Sequence, residues 1–218
     1  MADLKERIAR RCAKEFKDGA FVNLGIGLPT QVANYLPEGV TVTLHSENGF
    51  AGLAGMAEKG HEDVDIVNSG GAYVTAVPWV NYFDSATSFG MARGHLDATV
   101  LGAMEVAENG DLANWIVPGA KVAGMGGAMD LVTGSKNVVV TTTQTNKAGE
   151  PKVVKKTTLP LTGKRVATHI ITDMAFFLVT PDGLLLKEVA PGVKVEDVLA
   201  LTDADVIVAD DLCEMDLS

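Results

Sequence analysis

Val40-Thr41-Val42-Thr43-Leu44-His45-Ser46-Glu47-Asn48-Gly49 reads as a β-strand that runs out into a turn. Val40, Val42 and Leu44 alternate with Thr41, Thr43 and His45, the period of two that sends one set of side chains to each face of a sheet. Beyond the turn, Gly49, Ala51, Gly52, Ala54 and Gly55 make a run of small residues. Glu47 thus leaves a strand end where other parts of the chain can approach closely. In open α/β sheets ligands lie outside the carboxyl ends of strands, so Glu47 is the leading candidate for a reactive group.

Working back from this strand, Phe21-Val22-Asn23-Leu24 reads as another strand. It runs into Gly25-Ile26-Gly27-Leu28-Pro29-Thr30, where Pro29 suits the first turn of a helix reaching Leu36. Strand, glycine turn, helix and the Glu47 strand together make a βαβ unit. Before it, Leu4, Ile8, Cys12 and Phe16 recur every fourth residue and predict an amphipathic helix from about Ala2 to Lys17, stopped at Asp18-Gly19.

Working forward, Val64-Asp65-Ile66-Val67 reads as a short buried strand ending in Asn68-Ser69-Gly70-Gly71, and Tyr73 to Met91 as irregular chain with a short helix from Asp84. Two strands, Ala98 to Val106 and Leu112 to Val117, flank the hairpin turn Asn109-Gly110. A second glycine loop, Gly124-Met125-Gly126-Gly127-Ala128-Met129-Asp130, leads toward a strand at Val138-Val139-Val140 and a hairpin turned at Lys147 to Glu150. Strands at 167–174, 175–179, 184–187 and 206–208, with a helix over 195–200, complete the chain. The expectation is a single α/β domain over residues 1–218, an open mixed sheet flanked by helices with a hairpin-rich portion.

The net charge of −10 argues against nucleic acid and acidic membrane surfaces as partners, because polyanions repel an acidic chain. Apolar runs broken by Gly or Pro, and an N-terminus that opens into a charged amphipathic pattern, predict a cytoplasmic protein. Cys12 and Cys213 match no metal spacing and read as buried apolar residues. Against the acidic background, residues 135–165 carry seven basic side chains and only Glu150. They would meet an anionic ligand, line a contact between subunits or form a solvated hairpin.

Gly25-x-Gly27-x-x-Thr30 approaches a dinucleotide fingerprint, with Glu47 placed twenty residues beyond Gly27 like a ribose-binding acid. A nicotinamide oxidoreductase is therefore one alternative, although Thr30 replaces the third glycine. A non-catalytic ligand-binding relative of sugar-phosphate isomerases is another. His45 stands two residues from Glu47 and shares its face in a regular strand, but a lone His is more often structural. Arg93, His95 and Asp97 read as a local structural ion pair.

Asn23-Leu24-Gly25-Ile26-Gly27-Leu28-Pro29-Thr30, Ser46-Glu47-Asn48-Gly49, Asn68-Ser69-Gly70-Gly71 and Gly124 to Asp130, in this order, resemble the motifs of the B (beta) subunits of family I CoA-transferases. These are the 3-oxoacid or acetate/butyrate–acetoacetate enzymes, and the resemblance runs from about Lys5 to Asp210. It implies ping-pong CoA transfer between a short-chain acyl-CoA and a carboxylic acid, with Glu47 as the covalent nucleophile. It also implies a role for Asn23 in organising the carboxylate or substrate carbonyl, and for the N–H groups of Gly126 and Gly127 in an oxyanion hole. Gly25, Gly27, Asn48, Ser69, Gly70, Gly71, Gly124 and Met125 become substrate-binding candidates. The animal family member carries a Lys where this chain has Gly71, so no cationic role carries over there. Coenzyme A enters as substrate with no resident cofactor or metal. The implied partner is an A (alpha) subunit in an alpha2beta2 heterotetramer, with the cleft at their interface.

Overall fold

The computed structural model describes residues 4–119 and 124–218. In chain order the elements are α1 (Leu4–Ala13), β1 (Phe21–Leu24), a 3₁₀ helix (Leu28–Tyr35), β2 (Thr43–Ser46), β3 (Phe50–Met56), β4 (Val74–Tyr82), α2 (Ser85–Ala92), β5 (Ala98–Gly102), β6 (Glu105–Ala107) and β7 (Leu112–Ala113). There follow α3 (Ala128–Gly134), β8 (Asn137–Thr141), β9 (Val153–Val154), β10 (His169–Ile171), β11 (Ala175–Thr180), β12 (Gly183–Val189), α4 (Val195–Ala200) and β13 (Val206–Glu214).

Ten strands form one mixed sheet in the order β13-β12-β11-β10-β8-β5-β1-β2-β3-β4, and β7-β6-β9 form a small second sheet. The centre, β10-β8-β5-β1-β2, is parallel throughout, while β3, β4 and β11 join antiparallel. A parallel strand in this position is covered on both faces and therefore reads as a continuous apolar run, as Val138-Val139-Val140 does. Val139 packs with Ile8, Val22, Leu44 and Val100 under α1, whereas Val138 and Val140 face Leu101, Ile170 and Phe177 on the other side.

Several expectations hold with changed boundaries. The first helix is α1, and its Ala2 start lies outside the described residues. The βαβ unit closes with β1 and β2 parallel, but the crossover is 3₁₀ rather than α-helical, with Pro29 in its first turn. Asp84 caps α2 by accepting a hydrogen bond from Thr87 N at 2.7 Å, which draws its carboxyl below the usual range. The Asn109-Gly110 hairpin joins β6 to β7. The run from Ala98 to Val106, however, is divided: its first half is β5 in the main sheet and its second half is β6 in the small one.

Three readings are corrected. Val64 to Val67 is not a buried strand but turn-rich chain, exposed at Val64 and Asp65 and half-buried at Ile66 and Val67, with a bridge between Val67 and Tyr73 and a hydrogen bond from Val74 N to Ile66 O. The segment after it is not irregular: it is β4, nine residues long. Pro78 is tolerated there because β4 is an edge strand, where an outward position needs no N–H. Cys12 is buried as expected, but Cys213 is exposed on the other edge strand, β13. Among the described residues no helix is long and apolar enough to cross a membrane.

Candidate active site

The parallel register sets the site. Asn23 on β1 lies opposite His45 on β2 and opposite Thr99 on β5, so the three side chains share one face of the sheet at its carboxyl end. Asn23 is fully buried and its amide is committed on all sides. Nδ2 donates to Glu47 Oε2 at 2.9 Å and to the His45 carbonyl at 3.2 Å, and Oδ1 accepts from Thr99 Oγ1 at 3.2 Å. Glu47, partly exposed, is therefore held by one oxygen. Its Oε1 has no hydrogen-bond partner among the described residues.

The turn that carries Glu47 is fixed by its glycine. Gly49 has φ +137, a region that side chains avoid, and a Cβ there would stand 2.5 Å from the Phe83 carbonyl oxygen. Its N–H donates to Ser46 O and its carbonyl accepts from Phe83 N. Ser46 Oγ donates to Asn48 Oδ1 at 2.6 Å and accepts from Ser69 N at 3.2 Å, while Asn48 Nδ2 donates to Val67 O. These bonds tie the Asn68-Ser69-Gly70-Gly71 loop to the Glu47 turn. Inside that loop, Asn68 Oδ1 accepts from Gly70 N and Ala72 N.

The second glycine loop closes over the same carboxylate. A Cβ on Gly127 would lie 3.5 Å from Glu47 Cγ but only 2.6 Å from the Phe89 ring, so a bare backbone is needed for the loop to come this close. Gly124 and Gly126 take φ +90 and +56. Neither the Gly126 nor the Gly127 N–H has an acceptor among the described residues, and Gly127 is the one of the two whose backbone lies close to the Glu47 side chain. The arrangement suits attack by a carboxylate oxygen on a carbonyl whose developing charge meets backbone donors.

Asn23, Glu47, Asn48, Ser69 and Gly127 thus come together. Gly27, Ser69 and Gly70, with Ile26 and Met56, line an apolar cavity of about 370 Å³ that His45 and Ser46 also border, next to the Glu47 turn. Gly25 packs tightly against Val100 O and Leu101 and serves the strand crossing. Gly71 is exposed at a positive φ and makes the loop turn. The dinucleotide reading loses its main support, because the Gly25–Gly27 turn opens a 3₁₀ helix and Glu47 bonds to Asn23.

The remaining polar candidates have structural partners. Arg93 pairs with Asp130 and Asp97 with Lys136, so Arg93, His95 and Asp97 form no constellation and no pair among themselves. In the basic stretch, Lys136 is thereby used, Lys155 pairs with Asp205, and half-buried Lys152 donates to Thr142 Oγ1. Residues that sequence reasoning missed are Ser88, Phe89 and Thr99. Thr99 left a signal, a lone hydroxyl within the apolar run Ala98 to Leu101; Ser88 and Phe89 left none.

The Coenzyme A transferase family profile matches residues 5–201 of the chain. The B-type chain of a probable succinyl-CoA:3-ketoacid coenzyme A transferase of Bacillus subtilis is 50% identical over 96% of this chain and 97% of its own length. The beta chain of an acetate CoA-transferase of Haemophilus influenzae is 51% identical over 98% and 96%. Among solved structures, the acyl-CoA transferase YdiF of Escherichia coli O157:H7 superposes with a TM-score of 0.76 at 23% identity. That match covers 99% of this chain but spans only 44% of the longer YdiF chain. The chain belongs to the coenzyme A transferase family, and the two relatives just described, matched over nearly the full length of both chains, are named as its B or beta subunits.

Proposed function

We propose that this chain is the nucleophile-bearing beta subunit of a CoA-transferase. It would exchange CoA between a short-chain acyl-CoA and a carboxylic acid, of the acetate, butyrate and acetoacetate class, with coenzyme A as substrate and no resident cofactor. The observation that carries the reading is the Glu47 carboxylate, anchored through Oε2 by buried Asn23 while the Gly127 backbone comes so close that a Cβ there would stand 3.5 Å from Glu47 Cγ.

In this reading Glu47 Oε1 attacks the thioester carbonyl, and collapse of the tetrahedral adduct expels the CoA thiolate, leaving an acyl-glutamyl anhydride. The thiolate then attacks the glutamyl carbonyl. The C–O bond to the acyl carboxylate breaks, the acid departs, and a glutamyl-CoA thioester remains. An incoming carboxylate runs both steps backward on a new acyl group. No net proton moves, which agrees with a site whose polar groups orient rather than shuttle. Anhydride and thioester both conserve acyl-transfer potential, so water has to be kept away. The close contacts of Gly127 with Phe89 and of Gly49 with Phe83 support such exclusion.

An alpha-type partner completes the cleft, in a heterotetramer of two chains of each kind. Support comes from the names of the relatives, which are those of one chain of a two-chain enzyme, and from the large apolar side chains exposed on the elements around the site: Ile26, Met56, Trp79 and Tyr82. Coenzyme A is a charged nucleotide thiol that does not cross bilayers, so the enzyme would share the cytoplasm with its substrates. The test is trapping. The chain with its alpha partner is incubated with acetoacetyl-CoA or acetyl-CoA and reduced with borohydride. Acyl-CoA-dependent inactivation should map to Glu47 in the tryptic fragment from Asp18 to Lys59, and modification elsewhere with Glu47 untouched would refute the assignment.

A further inference from the structure

Behind Asn23 lies a buried polar chain that the transfer chemistry itself does not use. His45, Ser88 and Thr99 are all under 4% exposed. The His45 ring meets Phe21 edge-on at 5.4 Å and stacks on Phe83 at 6.1 Å, so its plane is set. Its Nδ1 lies 3.3 Å from Asn23 Nδ2, where it shares with the His45 carbonyl the one amide hydrogen that Glu47 does not take, and its Nε2 lies 2.9 Å from Ser88 Oγ. An amide nitrogen has only hydrogens to offer, so Nδ1 has to carry the lone pair and Nε2 the proton, which it donates to Ser88. One tautomer, uncharged, satisfies both ends.

The geometry points to His45 as a positioning residue: its neutral Nε2–H form, anchored on Ser88, holds the Asn23 amide with Nδ2 turned to Glu47, and the site works only in that form. This rests on the transferase reading above. A proton added at Nδ1 would aim an N–H at the Asn23 N–H groups. Either the amide turns, setting Oδ1 against the Glu47 carboxylate and the His45 carbonyl, or the ring moves, and the anchor on Oε2 is lost in both cases. The groups facing the imidazole are Asn23 from β1, Ser88 from α2, the rings of Phe21 and Phe83, and Glu47 from its own turn. Glu47 favours the proton, but burial opposes it more strongly and lowers the His45 pKa below its ordinary value. The neutral form is therefore the resting form at neutral pH.

The experiment compares His45→Asn, whose side-chain oxygen replaces the Nδ1 acceptor without titrating, and His45→Phe, which removes it. Both are assayed in the complex with the alpha partner after confirming assembly. His45→Phe should lose about ten- to a hundredfold in kcat with KM for acyl-CoA nearly unchanged, the cost of a misplaced nucleophile. His45→Asn should recover most of that loss and carry its acid limb in kcat to lower pH than the wild type. Should His45→Phe fail to assemble, the position of the His45→Asn limb decides alone. Wild-type kcat in His45→Phe, or an unmoved acid limb in His45→Asn, overturns the proposal. Borohydride trapping on the wild type separates the two claims: label on Glu47 with an unmoved limb leaves the transferase reading standing without His45, whereas no label removes that reading itself.

Discussion

Gly49→Ala is the sharpest structural perturbation of the Glu47 turn. Two costs add. The residue sits at φ +137, where a Cβ is strained by about 1–3 kcal/mol. The new methyl would also stand 2.5 Å from the Phe83 carbonyl oxygen, a backbone atom tied down by the Phe83 N–H bond to Gly49 O and by the pairing of Phe50 with Tyr82. Relieving such a contact costs about 1–3 kcal/mol more. Gly39→Ala is the control: φ is +79, but the space around its Cβ is open, so strain of about 1–2 kcal/mol stands alone. Both substitutions stiffen the unfolded chain equally, and that contribution cancels in the comparison. Gly49→Ala should therefore be less stable than Gly39→Ala by about 2–3 kcal/mol, read as a lower urea midpoint at equal slope. Equal midpoints would refute the close packing of the turn against Phe83.

Elsewhere, the Arg11 guanidinium is 5% exposed, bonds to Glu188 Oε1 at 2.8 Å and Glu15 Oε1 at 2.6 Å, and lies over the Phe176 ring. Glu188→Ala leaves that charge short of a partner and should cost about 3 kcal/mol, lowering Tm by about 6–12 °C; a shift under about 2 °C would contradict it. Iodoacetamide should modify Cys213 alone in the folded protein, since Cys12 is enclosed and burial pushes its thiol pKa up, and mass spectrometry should find Cys12 labelled only after denaturation. Burial likewise lowers the His169 pKa, Arg11 adding to it and Glu15 opposing. A histidine kept neutral in the fold contributes stability above its unfolded pKa of about 6.5, and that contribution is lost as pH falls below it. The urea midpoint should drop between about pH 6.5 and pH 5, less steeply in His169→Gln; an unchanged slope would rule His169 out as a cause.

Much of the centre was legible because local pattern and tertiary role agree there. Residues 21–24 and 40–46 announce strands, the glycine turn and Pro29 announce the crossover, and a parallel pair follows, which brings Asn23 beside His45 and within reach of Glu47. Asp84 and Asn109-Gly110 were readable because capping and hairpin turns are local chemistry. The failures are places where neighbours decide. The irregular reading of Tyr73 to Met91 fails because β4 is an edge strand that tolerates Pro78, and the buried reading of Cys213 fails because β13 is the other edge. The run from Ala98 to Val106 carries no mark showing that its halves enter different sheets. Thr99 reaches Asn23 only because β5 inserts next to β1, a pairing separated by more than seventy residues. The approach of Gly127 to Phe89 and Glu47 is likewise invisible without the packing of α3 against α2.

The central claim, that Glu47 itself exchanges acyl oxygen with the acids, is tested most directly with a carboxylate substrate carrying heavy oxygen. When the acid attacks the glutamyl thioester and CoA then takes the acyl carbon, one carboxylate oxygen stays on the glutamate. After turnover by the complex, the tryptic fragment from Asp18 to Lys59 should carry heavy oxygen located at Glu47. Full turnover with no label on Glu47 would contradict the account.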